Sequence, residues 1–445
     1  MKYCVGIDLG STTTKAVILD GGGVVVGRGI TNSRSSYDVA CQVALTEALV
    51  DTRFWLVASA LGETGIDGQR KQRLLAELER SFRKQQYLGH LRTLGRVLRE
   101  LLTRDGVAAA VRSAVDRILE RMQEEAERLF AEGASRKSDF FRDLAGSCYL
   151  QLATQEAGTG GRNFDVLIGL YDKAILEVEN TPAAEESFEE HAGAAFVSMQ
   201  QPVPELRDAL ERAVRAEIHR VSGVGTGYGR QRLPFPKEHI RSEILCHGLG
   251  AHAMFPQTRT VLDIGGQDTK AIQVDAQGIV TSFQMNDRCA AGCGRYLGYI
   301  ADEMNMGLHE IGPLAAKSTR PVRINSTCTV FAGAELREHL SCGQKMEDIF
   351  AGLHRAIILR AMSLLARSGG VRNEFTFTGG VAKNPAAVEE LRRLVTANYG
   401  ALKLNISPDS IYTGALGAAL FALRAHRSAN PESPPLGMGP ASQPR

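Results

Sequence analysis

Three segments of the chain share a pattern of residue types that suits phosphate binding. Each has a short apolar stretch, then an Asp or a Thr, then small residues, at 6–15, 262–270 and 377–384. Glycine lets the backbone approach a phosphate closely, and consecutive N–H groups with Ser or Thr hydroxyls form an anion site. A strand-end Asp suits Mg²⁺, which keeps most of its waters. One such segment is more typical of a plain hairpin, but three in this order predict a nucleotide site.

The order of these segments resembles the actin, Hsp70 and sugar-kinase superfamily, in which two similar lobes clamp ATP. The resemblance implies an α/β fold of two similar lobes, with ATP and Mg²⁺ as cofactors. It assigns residues of three loops to the nucleotide: Asp8, Gly10, Ser11, Thr12, Thr13 and Lys15; Asp263, Gly265, Gly266 and Gln267; Gly379, Gly380 and Asn384. Asp8 and Gln267 are expected to be catalytic, with Gln267 orienting the attacking water, since γ-phosphoryl hydrolysis depends on positioning. Lys270 is instead predicted to be a solvated charge on a strand face.

Two of the eight cysteines lie in distinctive surroundings, Cys289 within 284–295 and Cys328 within 324–331. Each is predicted to stand just before a helix, at 294–304 and 329–340. The helix dipole and free N–H groups at such a position favour a thiolate that can hold a metal. A [4Fe–4S] cluster normally takes four cysteines, so a chain supplying two would share it with a partner. From residue type alone, buried structural thiols remain the commoner outcome.

The surroundings of Cys289 and Cys328, with the second phosphate loop upstream, resemble the BadF/BadG/BcrA/BcrD ATPase family. That family contains activators of 2-hydroxyacyl-CoA dehydratases and ATP-binding subunits of benzoyl-CoA reductase. The resemblance covers residues 1–40 and 220–426 and implies a [4Fe–4S] cluster held by Cys289 and Cys328 together with a partner subunit. Cys293 departs from the activators, which usually have a small non-cysteine residue there. A packed thiol is the preferred interpretation of Cys293, and an alternate ligand is the other.

A long stretch with helical periodicity bears on the choice within the family. Apolar residues recur at helical spacing over 71–83, 95–102 and 108–130, with breaks at 158–161 and 202–204 that predict two or three helical segments. Dehydratase activators lack this insertion, so the resemblance favours an ATP-binding subunit of benzoyl-CoA reductase. It then implies a shorter homologous ATPase subunit, two acyl-CoA-binding reductase subunits, and ferredoxin as donor. An activator of a 2-hydroxyacyl-CoA dehydratase is the alternative.

The elements that must position these residues follow from strand and helix patterns. The first 30 residues alternate as a small antiparallel sheet, and strand patterns return at 221–225, 260–264, 271–274 and 374–378. The predicted organisation is an N-terminal lobe from 1–38 and 216–258, a helical insertion at 39–215, a C-terminal lobe at 259–427, and a disordered tail at 428–445.

Composition limits the classes of function. The 445 residues carry 52 Lys and Arg against 50 Asp and Glu, a net charge of +2 that predicts neither a nucleic-acid partner nor a membrane partner. No signal-peptide pattern is present, so a cytoplasmic protein is expected. Two other classes stay open: a phosphotransferase of the same fold, with Asp287 as a candidate base, and a regulatory ATPase whose cysteines only pack in the core.

Overall fold

In the computed structural model the chain divides into two units, Met1–Ala48 with Ile218–Arg445, and Leu49–Glu217. The structure describes residues 1–33, 36–104, 108–134, 140–157, 163–180, 187–200, 203–233, 235–289, 292–304, 306–324 and 328–429. The helix break predicted at 158–161, part of the break at 202–204, and residues 430–445 of the predicted tail lie outside this set.

The first unit opens with a four-stranded sheet, here called sheet A. Its strands are β1 (Lys2–Leu9), β2 (Thr13–Asp20), β3 (Val25–Asn32) and β4 (His219–Thr226). Their order is β3-β2-β1-β4, with β1 antiparallel to β2 and parallel to β4. The antiparallel meander predicted from the alternating residues is therefore confirmed. Strand β1 is buried along almost its whole length, as expected of a strand covered on both faces.

Seven helices are described between residues 37 and 215. They are α1 (Tyr37–Gly62), α2 (Gly68–Arg104), α3 (Ala109–Leu129), α4 (Phe141–Glu156), α5 (Phe164–Asn180), α6 (Ser187–Ser198) and α7 (Pro204–Arg215). The stretches of helical periodicity at 71–83 and 95–102 both belong to the one long helix α2, and the described helices outnumber the two or three segments predicted from the breaks. Gly95 within it faces α3, where a Cβ would lie 3.3 Å from Leu119 Cδ1, so the glycine allows close helix packing.

A five-stranded sheet, sheet B, begins with the same strand arrangement as sheet A. Its strands are β5 (Thr260–Ile264), β6 (Thr269–Val274), β7 (Val280–Asn286), β8 (Phe375–Thr378) and β9 (Leu404–Asn405), in the order β7-β6-β5-β8-β9. As in sheet A, the first strand is antiparallel to the next strand and parallel to a later one. Asp8 pairs with Lys15 across the first hairpin, and Asp263 pairs with Lys270 across the second. The two lobes therefore carry equivalent hairpins.

The remaining helices pack around these sheets. They are α8 (Glu243–Met254), α9 (Gly294–Glu303), α10 (Leu308–Ala315), α11 (Thr329–Ser341), α12 (Met346–Ser368), α13 (Pro385–Tyr399) and α14 (Thr413–Ala429). Helix α14 lies on sheet A, and α8 packs against both α14 and sheet B. Glycines let α14 and α8 approach closely, because a Cβ at Gly417 would overlap the Cys246 carbonyl and one at Gly250 would overlap that of Thr413.

Helix α12 is the one helix in the described part of the chain that is long and apolar enough to cross a membrane. More than half of its apolar window, 56%, is buried within the protein. Ile349, Leu353 and Ile357 along it belong to the core beneath sheet B. Its hydropathy is thus that of a core helix.

Candidate functional site

The first loop places a buried carboxylate at the end of β1. Asp8 is 3% exposed, and its Oδ2 lies 3.4 Å from Lys15 Nζ across the hairpin. Its Oδ1 is buried and has no hydrogen-bond partner among the described residues. A buried carboxylate oxygen normally has a partner, so this orphan fits the water shell of a Mg²⁺ ion.

Ser33, which sequence reasoning missed, fixes the shape of this loop. Its Oγ donates to the Gly10 carbonyl across 2.6 Å, and its N–H donates to the Thr12 carbonyl across 2.8 Å. A Cβ at Gly10 would lie 2.7 Å from the Thr13 carbonyl oxygen and 3.0 Å from Lys15 Nζ. The absence of a side chain at Gly10 thus leaves room beside the Lys15 ammonium group. Ser11 and Thr12 form the turn, and Thr13 is the first residue of β2.

The second loop follows Asp263, which is 1% exposed. Thr378 Oγ1, from the third predicted segment, donates to its Oδ2 across 2.7 Å. His247 Nδ1 lies 3.3 Å from the same oxygen without the geometry of a hydrogen bond. Burial alone would raise the pKa of Asp263, but His247 and Lys270 hold that pKa well below its usual range. The carboxylate is therefore ionised and suited to a cation.

The prediction that Lys270 is solvated is wrong. Lys270 is 1% exposed, and its Nζ lies 2.8 Å from Glu243 Oε1 and 2.9 Å from Asp268 Oδ2. Burial would lower the pKa of Lys270, but these carboxylates and Asp263 raise it well above its usual value. No local pattern points to Glu243, because this residue begins α8 and meets Lys270 only in the folded chain.

The loops of the two lobes meet at glycines. A Cβ at Gly266 would overlap the Thr12 side chain, so the first two loops touch. A Cβ at Gly414, at the start of α14, would lie 2.8 Å from His247 Nε2 and 2.9 Å from Asp8 Oδ2. The strand-end carboxylates of both lobes thus converge on one region.

The third loop contains the glycines after β8. Gly379 has a φ of +87°, and a Cβ there would overlap the Ile264 carbonyl, so only glycine fits. Gly380 faces open space. Asn384, assigned to the nucleotide, is otherwise engaged: its Oδ1 accepts from the N–H of Ala386 and Ala387 as the cap of α13, and its Nδ2 lies 2.9 Å from His354 Nε2. Backbone around the two glycines, and not the Asn384 side chain, is therefore available to a nucleotide.

The three cysteines of the predicted cluster region differ in environment. Cys328 is exposed and is the N-cap residue of α11, as expected. Cys289 is exposed and lies five residues before α9, which begins at Gly294 as predicted, so this thiol precedes the helix without capping it. Cys293 is the N-cap residue of α9, and its burial raises its pKa, which favours a packed thiol. Residues 290–291 and 325–327 of these segments lie outside the described set.

Backbone hydrogen bonds join the second phosphate loop to α9. The N–H of Gly294 donates to the Gly265 carbonyl across 2.9 Å, and the N–H of Arg295 donates to the Gly266 carbonyl across 2.7 Å. Thr269 Oγ1 also donates to the Gly292 carbonyl. The second phosphate loop and the start of α9 are therefore held together by main-chain hydrogen bonds.

Other groups of residues with suitable chemistry do not form sites. Among the described residues, no group of three or more His, Cys, Asp or Glu side chains suits a metal ion. Cys246, His247 and His252 share helix α8 but do not converge, because His247 faces Asp263 while His252 packs against Gly278. Asp287, the candidate base of a phosphotransferase, is exposed after β7.

Two lobes with equivalent hairpins, converging carboxylates and glycine loops make up a fold of the actin, Hsp70 and sugar-kinase type. The chain belongs to the BadF/BadG/BcrA/BcrD ATPase family, which matches residues 5–422. It is accordingly an ATP-hydrolysing enzyme.

Several relatives have described roles. The (R)-2-hydroxyglutaryl-CoA dehydratase activating ATPase of Acidaminococcus fermentans is 41% identical over 223 residues, which are 50% of this chain and 83% of the relative. The 2-hydroxyisocaproyl-CoA dehydratase activator of Clostridioides difficile is 43% identical over 47% of this chain and 75% of the relative. One of the subunits of benzoyl-CoA reductase from Thauera aromatica is 32% identical over 45% of this chain and 71% of the relative. Of these three relatives, the activators are thus the more similar proteins.

Solved structures support the fold. The Acidaminococcus fermentans (R)-2-hydroxyglutaryl-CoA dehydratase component A aligns over 96% of this chain and 99% of its own, with a TM-score of 0.53 and 24% identity. The activator of the 2-hydroxyisocaproyl-CoA dehydratase from Clostridium difficile, with bound ADPNP, aligns over 98% and 99%, with a TM-score of 0.52 and 24% identity.

Proposed function

We propose that this chain is the ATP-hydrolysing activator of an acyl-CoA enzyme of the 2-hydroxyacyl-CoA dehydratase type. It would couple nucleotide turnover to the delivery of low-potential electrons from a ferredoxin-class donor to a partner that binds the acyl-CoA thioester. The chain is 41% and 43% identical to dehydratase activators but 32% identical to the reductase protein. This difference favours an activator over the benzoyl-CoA reductase subunit that the long helical insertion suggests.

One observation carries the proposal: the second phosphate loop is hydrogen-bonded directly to the start of the helix that follows Cys289 and Cys293. The carbonyls of Gly265 and Gly266 accept the first two N–H groups of α9. Cys289 lies five residues before this helix, and Cys293 is its N-cap residue. A loop that closes on a nucleotide would therefore move this segment as well.

The cysteines fit an iron–sulfur cluster on chemical grounds. Cys289 and Cys328 are exposed thiols, whereas the buried Cys293 is not available without rearrangement. Two sulfurs are half of the usual donor set, so Cys289 and Cys328 would hold a [4Fe–4S] cluster together with two cysteines of a second copy or a homologous subunit. When bound, such a cluster supplies one-electron chemistry at a potential set by exposure and hydrogen bonding.

The chain's own residues would perform the hydrolytic part. Asp8 and Asp263 would hold Mg²⁺ through its waters, and Lys15 would meet the phosphates beside Gly10. Gln267 would orient the attacking water. Closure would press Gly266 against Thr12, which already touch, and the carbonyls of Gly265 and Gly266 would carry the displacement into α9.

A second candidate is the ATP-binding subunit of a benzoyl-CoA reductase. The helical unit Leu49–Glu217 is what suggests it, because dehydratase activators are expected to lack such an insertion; the alignments themselves do not separate the two, since the reductase subunit also matches only 45% of this chain. This function implies a shorter homologous ATPase subunit and two acyl-CoA-binding subunits as partners.

The deciding experiment is an anaerobic preparation of the chain with the proteins that accompany it in its own host. Reduced ferredoxin and MgATP are supplied with either (R)-2-hydroxyglutaryl-CoA or benzoyl-CoA. ATP-dependent dehydration of the first substrate supports the activator. ATP-dependent reduction of the second supports the reductase subunit. ATP hydrolysis that drives neither reaction, with no electron leaving ferredoxin, would contradict both.

A further inference from the structure

Lys270 occupies an unusual environment for a lysine. Its ammonium group is surrounded by three carboxylates: Glu243 at 2.8 Å, Asp268 at 2.9 Å and Asp263 at 3.4 Å. The side chain is 2% exposed. A buried ion pair contributes little net stability, so a group of three acids around one base is better explained by the arrangement that it enforces than by its energy.

The three acids come from different elements. Glu243 is the first residue of α8, Asp263 lies in β5, and Asp268 lies in the second phosphate loop directly after Gln267. Lys270 itself is in β6, opposite Asp263. One ammonium group thus ties a helix, a strand and the loop together.

Asp268 is the last residue of the loop and contacts Gly265 at its start. Its carbonyl accepts the N–H of Gly265 across 2.9 Å, and a Cβ at Gly265 would lie 2.5 Å from its Oδ1. Its other carboxylate oxygen faces Lys270. The conformation of the loop from Gly265 to Asp268, which includes Gln267, therefore depends on the Asp268–Lys270 pair.

The equivalent residue of the other lobe shows that the hairpin does not require this arrangement. Lys15 faces Asp8 at the same 3.4 Å separation, but its side chain is 12% exposed and makes no other ion pair among the described residues. The additional acids around Lys270 belong to the second loop alone.

We infer that Lys270 and Asp268 are positioning residues for nucleotide hydrolysis. Lys270 holds the Asp268 side chain in place within the second loop. Gln267 then keeps the geometry needed to orient water, and Asp263 keeps the geometry needed to hold Mg²⁺. The inference rests on the proposed nucleotide site, and neither residue needs to touch the nucleotide. Removing the pair should therefore slow the hydrolytic step while nucleotide binding persists.

The test compares Asp268→Ala, Lys270→Met and the control Lys403→Met in the full chain. Lys403 forms a 2.9 Å pair with Glu374 in the same lobe, but its side chain is 65% exposed and far from the loops in sequence. The measurements are kcat and KM for ATP hydrolysis, ADP affinity by calorimetry, and thermal unfolding. Asp268→Ala leaves Lys270 paired with two carboxylates, so this variant is expected to fold even if Lys270→Met does not.

The inference predicts that Asp268→Ala lowers kcat about tenfold or more while ADP affinity stays within about threefold, because small misplacement of a reacting group is costly. Lys403→Met should match the wild type. Folded Asp268→Ala with unchanged kcat would overturn the inference while leaving the proposed function intact. Equal losses of kcat and ADP affinity would also overturn it, as evidence of a binding or purely structural role. Wild-type protein without ATP hydrolysis would overturn both.

Discussion

Lys15 and Lys270 stand at equivalent positions of the two lobes, each opposite the strand-end Asp of a hairpin and 3.4 Å from it. Their surroundings differ: Lys15 borders the space left by Gly10, whereas Lys270 is enclosed by acids of its own lobe and of α8. We propose that the two equivalent hairpins have separate tasks. The first would offer Lys15 to the phosphates, and the second would hold its loop in shape through Lys270.

The first prediction concerns Lys15. Lys15→Met should weaken ATP binding about tenfold, because a charge beside the phosphates is lost. Adenosine binding should stay within about twofold, since adenosine has no phosphate to meet the lysine. Calorimetric titration with both ligands makes the comparison. An equal loss for ATP and adenosine, or no loss for ATP, would place Lys15 outside the phosphate site.

The second prediction uses the adjacent glycines of the third loop. Gly379→Ala should destabilise the protein by about 1–3 kcal/mol, because it combines a positive φ with overlap at the Ile264 carbonyl. Gly380→Ala should change stability by less than about 0.5 kcal/mol, because its Cβ meets open space. Urea unfolding of both variants gives these values.

Gly380→Ala also tests where the adenosine lies. If the nucleotide packs against this loop, the added methyl group reduces ADP affinity without reducing stability. Wild-type ADP affinity in stable Gly380→Ala protein would show that the adenosine binds elsewhere.

The parts of the fold that depend on residues close together in the sequence could be predicted from the sequence. Strand alternation and turn residues predict the hairpins of both lobes, and the helices after Cys293 and Cys328 begin where expected. The helical periodicity at 71–83 and 95–102 covers only parts of the long helix α2, which continues through Gly89 and Gly95. Those glycines are accommodated by packing against other helices, which a single sequence does not reveal.

The site was predicted less completely, because several of its side chains are defined by distant partners. Lys270 appears as an exposed strand charge until Glu243 is brought beside it. Asn384 was assigned to the nucleotide because it follows the two glycines, but it is the N-cap residue of α13. Pro385 at the first turn of that helix is a local sequence signal for this cap. The contact of Gly266 with Thr12, between residues of different lobes, had no such signal.

The third prediction is a dependence of stability on pH through His354. This side chain is buried between the Phe350 carbonyl, 2.7 Å from Nδ1, and Asn384, and its burial lowers its pKa below the usual 6.5. The unfolded chain therefore binds the proton more tightly, so the free energy of unfolding falls as pH drops below about 6.5. The slope from this group is at most about 1.4 kcal/mol per pH unit.

Urea unfolding of wild type and His354→Gln between about pH 7 and pH 5 isolates this contribution. His354→Gln should be less stable than the wild type at neutral pH, because the substitution removes the hydrogen bonds of His354. The stability of the variant should nevertheless fall less steeply on acidification. Parallel slopes for the two proteins would mean that His354 does not remain neutral in the folded state.

The fourth prediction concerns the proposed coupling of the nucleotide site to a redox centre held by Cys289 and Cys328. Iron and acid-labile sulfide per chain are counted in protein purified without oxygen, for wild type, Cys289→Ser, Cys328→Ser and Cys342→Ser. Cys342 is an exposed cysteine at the opposite end of α11 from Cys328, so it is the matched control. We expect about two irons per chain, one [4Fe–4S] cluster per pair, in the wild type and in Cys342→Ser, with loss in the other two variants. Iron-free wild-type protein, or full iron content in Cys289→Ser and Cys328→Ser, would contradict the proposed coupling.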